Sequence, residues 1–217
     1  MAELTNLLVS RKAIDLIVRF EISSKAYYRE KLEHPTWPGG ASGVTIGIGY
    51  DLGYNTASRI RADWSARIPP DVLEALVGVA GVTGQNARSA IRRFRHIRIP
   101  VEVATEVFEQ ATLPRFARDS RAAYPGIERL WADAQGALLS LVFNRGSAMT
   151  GDRRREMHAI KALVVARDLT GIADQIVAMK RLWNKNVLPG LHKRRDAEAK
   201  LVREARSTYP AGETFAI

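Results

Sequence analysis

The chain contains no cysteine, so no disulfide or thiolate metal site can form and folding must rest on core burial, in a state that tolerates a reducing cytosol. No apolar run approaches the roughly 20 residues that span a bilayer. The opening, Met1 to Leu8, shows no basic region leading into a long apolar segment, so no secretory signal is expected. A Gly-, Ser- or Pro-rich linker is missing, and no internal repeat is visible. The four histidines, His34, His96, His158 and His192, are scattered and never take the HExxH spacing, so no metal is expected. A G-x-S-x-G elbow is absent, which removes support for serine-hydrolase chemistry. Phosphate binding by a GxGxxG loop or a Walker lysine is disfavoured for the same reason.

What the chain does have is positive charge. The formal net charge is +10 over 217 residues, which attracts polyanions through long-range forces and counterion release. Nucleic acid, anionic lipid headgroups and a bacterial cell wall all satisfy that demand, and charge alone does not choose among them.

Apolar residues recur at helical spacing almost throughout. The first helix is expected from about Ser10, a suitable N-cap, to about Tyr28. The stretch Pro35 to Gly53 then carries six glycines and two prolines. Within it, Val44 to Tyr50 alternates β-branched and small residues, as a short strand or hairpin does. No other stretch gives a comparable β signal. Further helices are expected over Thr56–Ala66, Pro70–Ala80, Asn86–Ile97 with Thr83 as its cap, and Pro100 to a break at Pro114. Ile127–Phe143 reads as a central buried helix, with Trp131 in the core. Arg153–Arg167, Ile172–Trp183 (Trp183 again in the core) and Leu191–Ser207 follow, and the tail from Tyr209 is expected to fray. The fold class is therefore mainly α with a small β element (α+β), in one domain over residues 1–217.

Ile14, Ile17, Val18 and Glu21 follow the i, i+3, i+4, i+7 spacing of one helix face. A carboxyl at the end of an apolar stripe keeps its proton more readily than one in water, which suits a general acid. A boundary carboxylate paired with Arg19 or Lys25 fits the same geometry. Gly47 and Gly49 remove side chains from alternate positions, which lets a substrate or another backbone come close. Thr45 offers a hydroxyl to hold a water, and Asp51 adds a second carboxylate. Glycosidic cleavage calls for such a pair of carboxylates.

Glu21 followed by Thr45-Ile46-Gly47-Ile48-Gly49-Tyr50 resembles the active-site signature of phage-type lysozymes. Ala137 to Gly146 is similar to the central helix of that family, which ends in a Phe-Asn-x-Gly turn. Val187-Leu188-Pro189-Gly190-Leu191 with Arg194-Arg195-Asp196-Ala197-Glu198 resembles its closing segment. The resemblance implies a lysozyme-like fold, with an N-terminal hairpin lobe (about 10–60), a helical lobe (about 61–208) and a glycan cleft. It also implies muramidase activity on the β-1,4 bond between N-acetylmuramic acid and N-acetylglucosamine of peptidoglycan. Glu21 would be the acid, and Thr45 would position the attacking water. The chain departs from the phage pattern at Glu30, which stands where the family has its catalytic Asp. The order Glu21, Thr45, Asp51 is closer to pesticin, a bacteriocin with a phage-lysozyme-like domain. Asp51 is therefore preferred as the second carboxylate, with Glu30 as the alternative. The resemblance favours an inverting route, whereas carboxyls about 5 Å apart would indicate retention.

Trp37 is read either as a sugar-stacking residue or as a pin for its loop. Tyr50 either lines the cleft or covers the hairpin, and Asn144 and Arg145, at the end of the central helix, are candidate substrate contacts. Arg153-Arg154-Arg155 and Arg88 to Arg98 read as solvated faces, with contact to an anionic wall or outer membrane as the other reading. A monomer is expected, with peptidoglycan rather than nucleic acid as partner and no cofactor. The expected setting is a phage endolysin made in the cytoplasm and released to the wall. A lytic transglycosylase on the same bond, and a non-catalytic basic protein binding wall polymer or nucleic acid, are the rival readings.

Overall fold

The computed structural model describes residues 6–217. It is mainly helical with little strand, as expected. Its contacts divide the chain into two compact units, one formed by the segment ending at Phe20 together with Pro114–Ile217, the other by Glu21–Leu113. The resemblance implies a change of lobe near residue 60; the contact boundaries fall at Glu21 and Leu113.

The first unit opens with strand β1 (Leu8–Ser10) and helix α1 (Arg11–Ile22). Ser10 acts as the expected cap, its Oγ accepting from the N–H of Ala13 at 3.1 Å. Ile14 and Ile17 are buried on the predicted face. The helix does not reach Tyr28. It ends at Ser23, which adopts φ +59°, a left-handed conformation that stops an α-helix. Ser24 then caps a new turn, α2 (Lys25–Tyr27), by accepting from the N–H of Tyr27.

The second unit continues through a π-helical turn at Tyr28–Leu32 to strands β2 (Thr45–Ile46) and β3 (Tyr50–Asp51). These pair antiparallel, Thr45 opposite Asp51 and Ile46 opposite Tyr50, so the glycine-rich segment is the expected hairpin. Helices α3 (Ala57–Trp64), α4 (Pro70–Val77), α5 (Gly84–Ala90) and α6 (Val101–Val107) complete the unit. Thr56 caps α3 through its side chain, whereas Thr83 occupies the cap position of α5 without a side-chain hydrogen bond. The break expected at Pro114 falls just before it, as a π-helical turn over Phe108–Thr112.

Helices α7 (Leu113–Ala123), α8 (Ala132–Arg145), α9 (Arg155–Ala166), α10 (Leu169–Ala178) and α11 (Pro189–Arg203) follow. Every residue of α8 from Ala132 to Val142 is buried, as for a helix at the centre of a core. It packs against β1 and α11. Gly136 allows the close approach to the N-terminal segment, since a Cβ there would stand 2.1 Å from that of Ala13. Two expectations fail here. Trp131 sits at the N-cap of α8 and is 38% exposed, outside the core; Trp183 is half-buried beneath two guanidiniums, Arg145 at 5.1 Å and Arg195 at 5.9 Å from its ring. The tail does not fray: Thr214–Ala216 forms strand β4, antiparallel to β1. Phe215 lies under the Arg11 guanidinium, 4.0 Å from it.

Candidate active site

The hairpin is anchored from below. Tyr50 is 3% exposed, and its hydroxyl donates to Asp63 Oδ2 at 2.7 Å. Its ring meets Trp64 edge-on, with centroids 5.4 Å apart. Tyr50 is thus part of the support, which fits the reading in which it covers the hairpin. Gly47 also packs inward. It is buried, and a Cβ there would press to 3.1 Å from Trp64 and 3.3 Å from Ala104. Its φ of +58° and the inward packing, rather than an open approach for substrate, account for glycine here.

Gly49 differs. It is exposed, with φ +66°, and a Cβ added there would lie 3.7 Å from Glu21 Oε2. The half-buried Glu21 carboxyl, in the last turn of α1, therefore faces the bare side of the hairpin turn. Thr45 and Asp51, being directly opposed, project to one face of the hairpin.

Asp51 is held firmly. Gly43 N–H donates to both carboxylate oxygens at 3.0 Å, and Gly53 N–H donates to Oδ1 at 2.8 Å. Gly43 is irreplaceable in this clamp, since a Cβ would fall 2.3 Å from Asp51 Oδ1. The Thr45 hydroxyl makes a long contact, 3.5 Å, to the Gly43 carbonyl. Both ends of the Gly43 peptide region thus meet the two hairpin side chains. The loop that carries Trp37 is stitched to the same strand, as Thr36 and Thr45 exchange backbone hydrogen bonds at 2.8 and 2.9 Å.

Glu30, the alternative carboxylate, lies in the π-helical turn, is exposed, and pairs with Lys31 at 2.8 Å. Trp37 is half-buried; its Nε1 donates to the Ser42 carbonyl at 3.0 Å, and Arg88 stands 5.6 Å from its ring. Both contacts fit the loop-pinning reading. Asn144 and Arg145 belong to the first unit. Asn144 Oδ1 accepts from Arg195 at 3.2 Å.

Beside Asn144 lies a charged cluster drawn from the segment that resembles the closing segment of the phage-type family. Arg194, Arg195, Glu198 and Ser140 are all buried. Glu198 Oε1 accepts from Ser140 Oγ at 2.6 Å and from Arg195 at 2.9 Å, with Arg194 Nε 3.3 Å away. The spacing Arg194, Arg195, Glu198 was the available signal, because i+3 and i+4 neighbours meet on a helix. Burial lowers the pKa of Arg195, with Glu198 opposing that shift.

The fold and the hairpin together define a mainly helical protein in which a helix-end carboxyl faces a side-chain-free turn. A hydroxyl and an anchored carboxylate share the adjoining strands. Residues 21–196 match the model of a family described as Domain of unknown function (DUF8812), and the chain belongs to that family. No curated protein matches the chain.

Proposed function

We propose that the protein is a peptidoglycan muramidase with a lysozyme-like fold, cleaving the β-1,4 bond between N-acetylmuramic acid and N-acetylglucosamine. One observation carries the reading: Glu21 Oε2 stands 3.7 Å from where a side chain at Gly49 would begin. A turn without a side chain places nothing over the Glu21 carboxyl, and proton donation to a glycosidic oxygen requires a carboxyl that a sugar can reach. Glu21 donates the proton. Thr45 holds the water, and Asp51, fixed by backbone N–H groups, orients it and opposes the positive charge of the transition state. The basic surface draws the enzyme to an anionic wall, consistent with action as an endolysin.

The test uses purified peptidoglycan with mass spectrometry of the released fragments. Wild-type protein is expected to release reducing muropeptides, and Glu21→Gln to lose nearly all release. Full activity in Glu21→Gln sinks the reading.

A second reading is favoured by the clamp on Asp51. A carboxylate already accepting from Gly43 and Gly53 is less available to activate water, and a lytic transglycosylase needs only the acid. Anhydro-sugar products from the same digest would select that route.

A further inference from the structure

We propose that a pocket in the first unit, lined by Arg145, Arg153, Arg154 and Trp183, is a binding site for a phosphate monoester. The pocket encloses about 630 Å³, and Asn144 and Thr150 add polar lining. It belongs wholly to the segment after Pro114 and does not depend on the hydrolase reading.

Positive charge in this pocket is poorly balanced. Asp152 lines the pocket with the arginines and Glu156 lies close to Arg145, but other arginines pair with both carboxylates. Arg181 reaches Asp152 Oδ2 at 3.0 Å and Glu156 Oε1 at 2.5 Å, and Arg155 reaches Glu156 at 2.9 Å. Glu198 is likewise engaged by Arg194 and Arg195. Arg145, Arg153 and Arg154, which share the pocket lining, have no carboxylate ion pair of their own among the described residues. Burial, then the charges of Arg154, Arg195 and Arg153, push the Arg145 guanidinium down to about 10. Crowded like charges of this kind are relieved by a bound anion.

Donors remain for that anion. Arg145 Nε is buried with no hydrogen-bond partner. One further nitrogen of Arg145 serves the Arg153 carbonyl, and one of Arg154 contacts Met157 Sδ. Each guanidinium carries five N–H donors, so most are uncommitted. The Trp183 ring, 5.1 Å from the Arg145 guanidinium, backs that side chain.

A phosphate monoester fits better than a carboxylate. It offers three terminal oxygens and a charge near −2 at neutral pH, against two oxygens and a single charge. Three guanidiniums match the former in both number and charge.

Titration calorimetry at pH 7.5 and constant ionic strength, with the full chain, tests the site. The probes are glycerol phosphate, inorganic phosphate, a glycerol phosphodiester and acetate. One-to-one binding of glycerol phosphate and inorganic phosphate is expected, with acetate and the diester at least about tenfold weaker. Arg153→Ser/Arg154→Ser should weaken glycerol phosphate by tenfold or more, while Arg92→Ser/Arg95→Ser, an equal charge loss elsewhere, leaves it unchanged. Equal affinity for acetate, or equal weakening by both double variants, overturns the proposal. Binding of inorganic phosphate without glycerol phosphate identifies an adventitious ion and also overturns it. In the wild-type chain the Arg145 Nε–H resonance should shift on saturation with glycerol phosphate. A resonance that does not move overturns the assignment whatever the variants do.

Discussion

Among single residues, the two turn glycines show how one motif splits into separate tasks. Both have positive φ, so alanine costs about 1 kcal/mol in backbone strain at either. Gly47→Ala also drives a methyl into Trp64 and Ala104, adding about 1–3 kcal/mol of overpacking. Gly49→Ala meets only the Glu21 carboxyl at ordinary contact distance. The expected pattern is a larger drop in thermal midpoint for Gly47→Ala and a disproportionate loss of lytic rate for Gly49→Ala. The reverse pattern would remove Gly49 from the substrate path. Asp51→Asn separates anchoring from chemistry in a similar way. The amide keeps one acceptor oxygen, but its NH₂ cannot accept from the Gly43 N–H, so stability should fall by about 1–3 kcal/mol. If Asp51 also acts in the reaction, activity at a temperature where the variant is fully folded should fall by far more than the folded fraction does.

This is also the scale at which sequence reading was least complete. Glu21, Thr45, Gly49 and Asp51 stand out in the sequence because their types and spacing suit one chemistry, and the hairpin pairing that sets Thr45 opposite Asp51 follows from the alternation of Val44 to Tyr50. That Tyr50 points inward was not legible, because its partner, Asp63, comes from a helix that begins only at Ala57. Long-range hydrogen bonds leave no periodic trace.

At the scale of elements, helices were read well where an apolar stripe and a cap agreed, as at Ser10 and Thr56. The end of α1 was missed because its determinant is one residue, Ser23, in a conformation that serine rarely adopts. Sheet β1–β4 was missed for a different reason. Its two strands have three residues each and stand at opposite ends of the chain, so neither shows alternation long enough to register. The pairing implies that the tail stabilises the first unit. Phe215→Ala, which removes the ring beneath Arg11, should cost about 1–2 kcal/mol. Amide exchange should also quicken across Leu8–Ser10 as well as in the tail. Unchanged protection in β1 would mean that the tail merely rests on the surface.

For the whole molecule, the excess of basic residues makes each buried or pocket-facing carboxylate a point of control over acid stability. Glu156 is 2% exposed. Burial works against its charge, yet hydrogen bonds from Arg181 and Arg155 prevail and hold its carboxyl below the usual 4.5. Asp152, hydrogen-bonded by Arg181, lies below its usual 3.8. A carboxyl with a depressed folded pKa contributes stability that is complete above its unfolded value and lost as pH falls through the folded one. The two groups should thus stabilise the first unit fully above about pH 5 and progressively less below pH 4.5. Arg181→Met strips both carboxylates of a partner. It is expected to destabilise the protein at pH 7, measured by urea denaturation, and to converge on the wild type as pH drops towards 3. A penalty that stays constant from pH 7 to pH 3 would mean that Arg181 contributes by packing its aliphatic stem and not by holding charge.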